Sequence, residues 1–184
     1  IRLTRFSKNS AIEVEKAISS LQNNDLSSIV LDLRDNPGGL LNSAVSILDM
    51  FIKKGELLVW TDGKARQSNK KYFSKSDPIV SDNIQIAVLI NGGSASASEI
   101  VAGVMQDLDR GVVIGRQSFG KGLVQTVYNI DRNKALKVTT AKYYIPSGRL
   151  IQKSGYLPED ILADTTEADS LFETVGGRVV KGGK

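Results

Sequence analysis

The part of the sequence best suited to covalent chemistry is a run of serines that alternate with alanines. Residues 94–98 read Ser-Ala-Ser-Ala-Ser and are followed by Glu99. They follow an apolar segment and open a predicted helix, where free backbone N–H groups and the helix dipole favour negative charge. A serine here could attack a carbonyl group while its own N–H and the next one hold the developing oxyanion. Capping explains one or two of the serines, and Glu99 is interpreted as a favourable charge at the helix start.

A nucleophilic serine needs a base, and the composition leaves few candidates. The 184 residues include no histidine and no cysteine, which excludes His-containing triads, cysteine nucleophiles and zinc sites built from Cys or His. A lysine can take the role only when it is uncharged, and burial can lower a lysine pKa by up to about 3–5 units. Lys121 is flanked on both sides by glycine and then by bulky apolar residues, which makes it the leading candidate. Such a loop could equally hold a phosphate, although no Walker A pattern surrounds it.

Charged residues near the first glycine pair have alternative interpretations. Asp32 and Arg34 could be a catalytic acid and a substrate clamp, but a structural pair that orients the following turn explains them better. Asp35 lacks a second carboxylate at a spacing suited to a metal, so no metal or other cofactor is predicted.

The charge distribution argues against a nucleic-acid partner. The net charge is +4, and each half of the chain holds 12 basic and 10 acidic residues. One segment between Asp62 and Asp77 is locally basic, and a solvated hairpin loop is favoured there over a site for an acidic partner. Its basic residues are Lys64, Arg66, Lys70, Lys71 and Lys75.

Two similar units must position these residues. Strand, Gly-Gly turn and helix occur at residues 29–33 with Gly38-Gly39, and again at residues 86–90 with Gly92-Gly93. Apolar strands that alternate with amphipathic helices predict an α/β fold with both sheet faces covered. Sites in such folds form at the carboxyl ends of strands, so both turns are candidates for oxyanion binding, unless the glycines only satisfy tight turns.

The periodicity predicts helices over residues 11–23, 41–53 and 94–108. Strands are predicted over residues 1–6, 28–33, 56–61, 84–90 and 111–115, and an additional β-hairpin over residues 123–130 and 135–144. No apolar run approaches the roughly 18 residues of a transmembrane helix.

A long, ordered set of motifs resembles the carboxyl-terminal processing peptidases, also called tail-specific proteases, which use a Ser-Lys dyad. The set consists of residues 32–39, residues 91–100, Gly115 with residues 119–122, and residues 137–149. The resemblance runs from Ile1 to about Pro158, and residues 155–160 match only loosely. It implies an α/β fold with a crotonase/Clp-peptidase-like core, in agreement with the repeated strand-turn-helix units.

The resemblance also implies roles for individual residues. Ser96 matches the family's nucleophile, Lys121 its general base, and Gln125 the glutamine that supports the lysine. One oxyanion donor is the N–H of Ala97, and the other is Gly38 or Gly39, a choice that the sequence leaves open.

The family's domain organisation gives further expectations. Residues 1–184 would form a peptidase core domain, part of a longer protein, with a PDZ domain directly before it and a tail beyond it. Substrates would be unfolded or extended polypeptides cut near their C-termini, outside the cytoplasm in a periplasm or cell envelope. A homo-oligomer is possible, and the sequence does not decide the oligomeric state. The alternatives are a non-catalytic peptide-binding module of the same fold and a crotonase-like enzyme acting on an acyl thioester.

Overall fold

The computed structural model describes residues 1–22, 26–153 and 170–182. The predicted helices and the predicted hairpin are present, which confirms the α/β class. None of the described helices is both long and apolar enough to cross a membrane. Residues 155–160 lie outside the described part.

The elements are α1 (Ser10–Gln22), β1 (Ser28–Asp32), α2 (Leu41–Asp49), β2 (Leu57–Asp62), a 3-10 turn (Arg66–Ser68), β3 (Lys70–Phe73), β4 (Gln85–Ile90), α3 (Ala97–Asp107), β5 (Val112–Gly115), β6 (Leu123–Asn129), β7 (Ala135–Tyr144), β8 (Leu171–Glu173) and β9 (Val179–Lys181).

A parallel sheet of three strands, in the order β1-β4-β5, carries the two strand-turn-helix units. The chain passes from β1 through α2 to the neighbouring β4, and from β4 through α3 to β5. Both connections therefore move across the sheet in the same direction. Because βαβ crossovers are right-handed, α2 and α3 must then lie on the same face of the sheet. One continuous core joins this face to the helices, and its fully buried members include Ile18, Leu31, Ile47, Leu48, Val88 and Val101.

The opposite face of the parallel sheet is uncovered in the described residues. Val30, Val112 and Ile114 are each about half exposed on it, at 47%, 53% and 52%. The expectation that both faces are covered is therefore wrong for the described part of the chain. The reason is the strand order, since two crossovers in one direction supply helices to one face only.

A second, antiparallel sheet has the order β3-β2-β7-β6. The basic segment folds as the predicted hairpin, with β3 pairing to β2. Trp60 on β2 stacks on Tyr144 of β7, with ring centroids 4.2 Å apart. A bulge between Val124 and Gln125 interrupts the β6-β7 pairing close to the Lys121 loop.

Three predicted elements are shorter than expected. One is α3, which begins at Ala97 instead of residue 94, with Ser96 as its N-cap. Residues 1–6 make only isolated parallel bridges, Arg2 with Asp32 and Phe6 with Gly39, because β1 ends at Asp32 and gives way to the turn. Helix α2 ends at Asp49 instead of continuing to residue 53. The Asp49 carboxylate there accepts hydrogen bonds from the Ser74 hydroxyl and the Lys75 N–H, both at 2.6 Å, which ties the helix end to the following hairpin.

Candidate active site

Hydrogen bonds bring the two Gly-Gly turns together at the carboxyl edge of the parallel sheet. The Asp35 N–H donates to the Asn91 side-chain oxygen at 2.9 Å, and the Asn91 amide donates back to the Asp35 carboxylate at 2.8 Å. The Asn36 carbonyl accepts from the Ala95 N–H at 3.0 Å and from the Ser98 hydroxyl at 2.8 Å. The serine run is therefore held against the first turn by its own side chains and backbone.

The three serines have different positions in this arrangement. Ser94 and Ser98 are fully buried, and the Ser94 hydroxyl donates to the Leu33 carbonyl at 2.8 Å. Ser96 is partly exposed and is the N-cap of α3, with φ 56° and ψ −111°. A non-glycine residue with positive φ is strained by about 1–3 kcal/mol and persists only where its surroundings hold it. Ser96 is thus the serine of the run that the structure presents at the surface.

Glu99 is what holds Ser96 in this conformation. The side chain is 5% exposed, and Oε2 accepts the Ser96 N–H at 2.6 Å. The Ser96 amide is therefore occupied, so the expectation that this N–H could serve an oxyanion is wrong.

The same carboxylate also binds the loop that contains Lys121. Oε2 accepts the Lys121 N–H at 2.8 Å, and Oε1 accepts the Gly120 N–H at 2.6 Å and the Ser118 hydroxyl at 2.7 Å. Four donors thus converge on one buried side chain, for which the sequence predicts only a favourable interaction with the helix dipole. The Ser-x-x-Glu spacing could have indicated the contact with Ser96, but no local pattern indicates contacts that span 19–22 residues.

The Lys121 loop is anchored on its other side by the chain after β7. The Gly122 N–H donates to the Gln152 side-chain oxygen at 2.9 Å, and the Lys153 N–H donates to the Gly120 carbonyl at 2.9 Å. The Lys121 side chain is partly buried. Within the described residues no hydrogen bond joins its Nζ to the Ser96 hydroxyl or to Gln125, which lies four residues further on β6.

The candidates for oxyanion binding are the Ala97 N–H, next to Ser96 in the chain, and the N–H groups of the first Gly-Gly turn. A Cβ built on Gly38 would lie 2.9 Å from both the Ala97 nitrogen and the Ser96 Cβ, so the first turn packs directly against the nucleophile candidate. The Gly38 N–H already donates to the Asn36 side chain at 2.9 Å. Within the described residues, the N–H groups of Gly39 and Ala97 make no hydrogen bond. This favours Gly39 over Gly38 as the second donor.

The close approach of Gly38 makes a testable prediction about stability. Gly38 and Gly55 share a φ of +91°, but alanine at Gly38 would place its Cβ 2.5 Å from the Ala95 carbonyl oxygen, whereas Gly55 has open space around it. Gly55→Ala should lower the free energy of unfolding by about 1–2 kcal/mol through backbone strain alone. Gly38→Ala should lower it by about 3 kcal/mol or more, because a steric clash adds to the strain. Urea unfolding of both variants measures the difference, and equal losses would contradict the close packing.

Asp32 and Arg34 form the structural pair that the sequence favours. The guanidinium donates to both carboxylate oxygens, at 2.9 and 2.8 Å, and this hydrogen-bonded pair lowers the pKa of Asp32 to about 2. Asp32 also accepts the Arg34 N–H at 3.1 Å, which shapes the start of the turn. Within the described residues no group of three or more acidic side chains is placed to hold a metal ion.

Comparison with known proteins identifies the family to which the chain is similar. The model of Peptidase family S41 matches residues 1–162. A carboxy-terminal-processing protease of Bartonella bacilliformis is 46% identical over 166 residues, which cover 88% of this chain and 38% of that protein. The chloroplastic carboxyl-terminal-processing peptidase 3 of Arabidopsis thaliana is 36% identical, over 93% of this chain and 32% of that protein. The chain thus spans about a third to two fifths of the length of these relatives.

Solved structures lead to the same fold. A photosystem II D1 C-terminal processing protease superimposes with a TM-score of 0.74 at 34% identity, over 86% of this chain and 40% of that one. A putative protease of the same family from Bacteroides fragilis has a TM-score of 0.66 at 19% identity, over 88% of this chain and 47% of that one, which supports the fold alone. The match of the family model over most of the chain, together with these relatives, shows that the chain belongs to the carboxyl-terminal processing peptidases of this family.

Proposed function

We propose that this chain is the catalytic core of a serine endopeptidase that cleaves unfolded or extended polypeptides near their C-termini. The observation that carries the proposal is the Glu99 carboxylate, which binds the N–H of Ser96 and the N–H of Lys121 at 2.6 and 2.8 Å. One buried side chain thereby fixes the backbone of the nucleophile relative to the backbone of the lysine. Such fixed geometry is what an activated nucleophile requires.

The reaction would run in two halves. Lys121, uncharged, takes the proton of the Ser96 hydroxyl as its oxygen attacks the scissile carbonyl carbon. The negative charge that develops on the carbonyl oxygen is bound by the N–H groups of Ala97 and Gly39. The protonated lysine then donates to the leaving amine, and an acyl-enzyme remains on Ser96. Water, deprotonated by the same lysine, then attacks the ester carbonyl. As the bond from the acyl carbon to the Ser96 oxygen breaks, the lysine returns the proton to that oxygen and the carboxylic acid product leaves.

The remaining residues support these steps. Gln125 would hold the Lys121 amine once the dyad is aligned. Glu99 acts through the backbone and does not touch substrate, so it is a positioning residue. The two oxyanion donors would contribute about 10²–10³ in rate each, the usual cost of removing one such hydrogen bond.

Several properties of the whole protein are part of the same proposal. Because the chain spans about two fifths or less of its relatives, we assign substrate capture to further domains, among them a PDZ domain that precedes the core and binds substrate C-termini. The partners are then polypeptides, with no nucleic acid and no cofactor required. We place the protein outside the cytoplasm, in a periplasm or cell envelope.

The direct test is cleavage of an unfolded protein by this chain and by the protein at its natural length. Mass spectrometry of the early products should locate the first cuts near the substrate C-terminus. Cleavage by the longer form alone would mean that a further domain activates the core. If neither form cleaves the substrate, the proposed peptidase activity is wrong, and a non-catalytic peptide-binding module becomes the better hypothesis for this chain.

A further inference from the structure

A groove of about 400 Å³ lies on the antiparallel sheet, between the loop of the basic β2-β3 hairpin and the strands β6 and β7. Its described lining combines apolar, hydroxyl-bearing and basic side chains. These are Leu41, Thr61, Lys64, Ala65, Gln67, Ser68, Lys70, Tyr72, Val124, Thr126, Tyr128, Thr139 and Thr140. The mechanism proposed above uses none of them.

Two of the lining residues place the groove next to the candidate active site. Leu41 is two residues after Gly39, so their Cα atoms are at most about 8 Å apart, and Val124 is three residues after Lys121, at most about 11 Å away. The segments that carry the candidate oxyanion donor and the candidate base therefore both continue into the groove wall. A polypeptide that reaches Ser96 would therefore come within a few residues of this groove.

Hydrogen bonds within the protein fix the walls of the groove. The Thr61 hydroxyl donates to the Ser68 carbonyl at 2.6 Å and accepts the Lys70 N–H at 3.1 Å, which fixes the hairpin. On the facing strands, the hydroxyls of Thr126 and Thr140 are 3.0 Å apart and hydrogen-bonded. β2 also pairs with β7, so the hairpin and the floor belong to one sheet.

The charge in the groove is unbalanced. Lys64 and Lys70 are exposed on its rim, none of the described lining residues is acidic, and neither lysine makes an ion pair within the described residues. The floor offers apolar surface from Leu41 and Val124 and hydroxyl groups from the threonines. This combination suits an extended peptide that brings a carboxylate to the two lysines.

We infer that this groove is a substrate subsite which binds a peptide carboxylate within a few residues of the scissile bond, with Lys64 and Lys70 as the specificity-determining residues. The inference rests on the proposed function. The carboxylate has two possible sources, the free C-terminus of the substrate or an acidic side chain.

The test uses one labelled peptide series, the protein at its natural length and three variants. The peptides share one core sequence and end in a free carboxylate or an amide, with Asp or Asn at each of the four positions around the cut. The Lys64→Gln/Lys70→Gln variant removes the charge of the groove. Lys71→Gln is the matched control, because Lys71 is equally exposed and adjacent on β3 but does not line the groove. Binding is measured on Ser96→Ala and cleavage on the active enzyme.

We expect kcat/KM to favour one carboxylate-bearing peptide by about five- to tenfold, as two partly exposed ion pairs allow. The double variant should lose this preference and cut the neutral peptide as well as wild type does, while Lys71→Gln keeps it. The peptide pair that shows the preference identifies the source of the carboxylate. A preference that survives in the double variant, or cleavage without any preference, would overturn the inference and leave the peptidase assignment intact. Without cleavage by any form, binding decides: carboxylate-dependent affinity that the double variant loses supports the groove, and its absence rejects it.

Discussion

Ser96→Ala and Lys121→Ala should each lower kcat for an unfolded protein or peptide substrate by at least about 10³-fold. A nucleophile and its base act as a unit, so replacing either one removes nearly the whole contribution of the pair to kcat. The double variant should therefore lose little more than each single variant. The residual activity should come from the oxyanion donors and from substrate binding alone. Both side chains are partly exposed at the site edge, so their truncation should leave the free energy of unfolding within about 1 kcal/mol of wild type.

The comparison is made on purified protein with initial rates and urea unfolding side by side. Lys137→Ala is the control for loss of a lysine, because Lys137 is exposed on β7 and, within the described residues, makes no side-chain hydrogen bond or ion pair to the site. It should retain wild-type rates. Additive losses in the Ser96→Ala/Lys121→Ala variant, or wild-type activity in either single variant, would contradict the dyad.

The sequence predicts the parts of this site that follow from local patterns. Ser96 opens a helix after a buried strand, and the Gly-Gly turn precedes another helix, so the edge of the sheet at which they meet follows from the α/β order. The hairpin β6-β7 is likewise visible as two alternating segments around a turn. Each of these patterns lies within a segment of little more than about twenty residues.

The features that the sequence does not predict depend on contacts between distant segments. Ser94 and Ser98 resemble ordinary caps, but their hydroxyls bind the Leu33 and Asn36 carbonyls across 61 and 62 residues. In sequence, the strands that carry Val30 and Ile114 look like strands buried on both faces. Their apolar residues favour burial, but the pattern does not show which element, if any, covers each face of the sheet. Only the order of strands in the sheet decides that question.

Glu99→Gln is the substitution that tests how the site is held together. The carboxylate accepts four hydrogen bonds, three from backbone N–H groups and one from a hydroxyl. A glutamine keeps one acceptor oxygen and turns an NH₂ group toward donors, so at least one buried N–H loses its partner. The free energy of unfolding should fall by about 2–4 kcal/mol, since a lost charge-assisted bond and an unsatisfied donor both contribute.

Activity should fall further than stability explains. Ser96 holds its strained φ because Glu99 binds its N–H, and Lys121 is tied to the same carboxylate. Loss of the negative charge weakens both hydrogen bonds even where the glutamine oxygen still accepts them. Loosening both backbones by a fraction of an ångström should lower kcat by about 10²-fold with little change in KM, because the substrate itself does not touch Glu99. Ser118→Ala removes one of the four donors and leaves both backbones tied, so it should cost less than about tenfold.

Val104→Ala separates positioning from stability. Val104 is fully buried on the same helix and contacts the core, and its truncation should also cost about 2–3 kcal/mol. Assayed well below both melting temperatures, Val104→Ala should keep the wild-type kcat whereas Glu99→Gln should not. Equal kcat in the two variants would reduce Glu99 to a stabilising contact. A kcat loss confined to Glu99→Gln would show that the distance between the nucleophile and its base is set through one buried carboxylate, 22 residues away in sequence from the lysine that it holds.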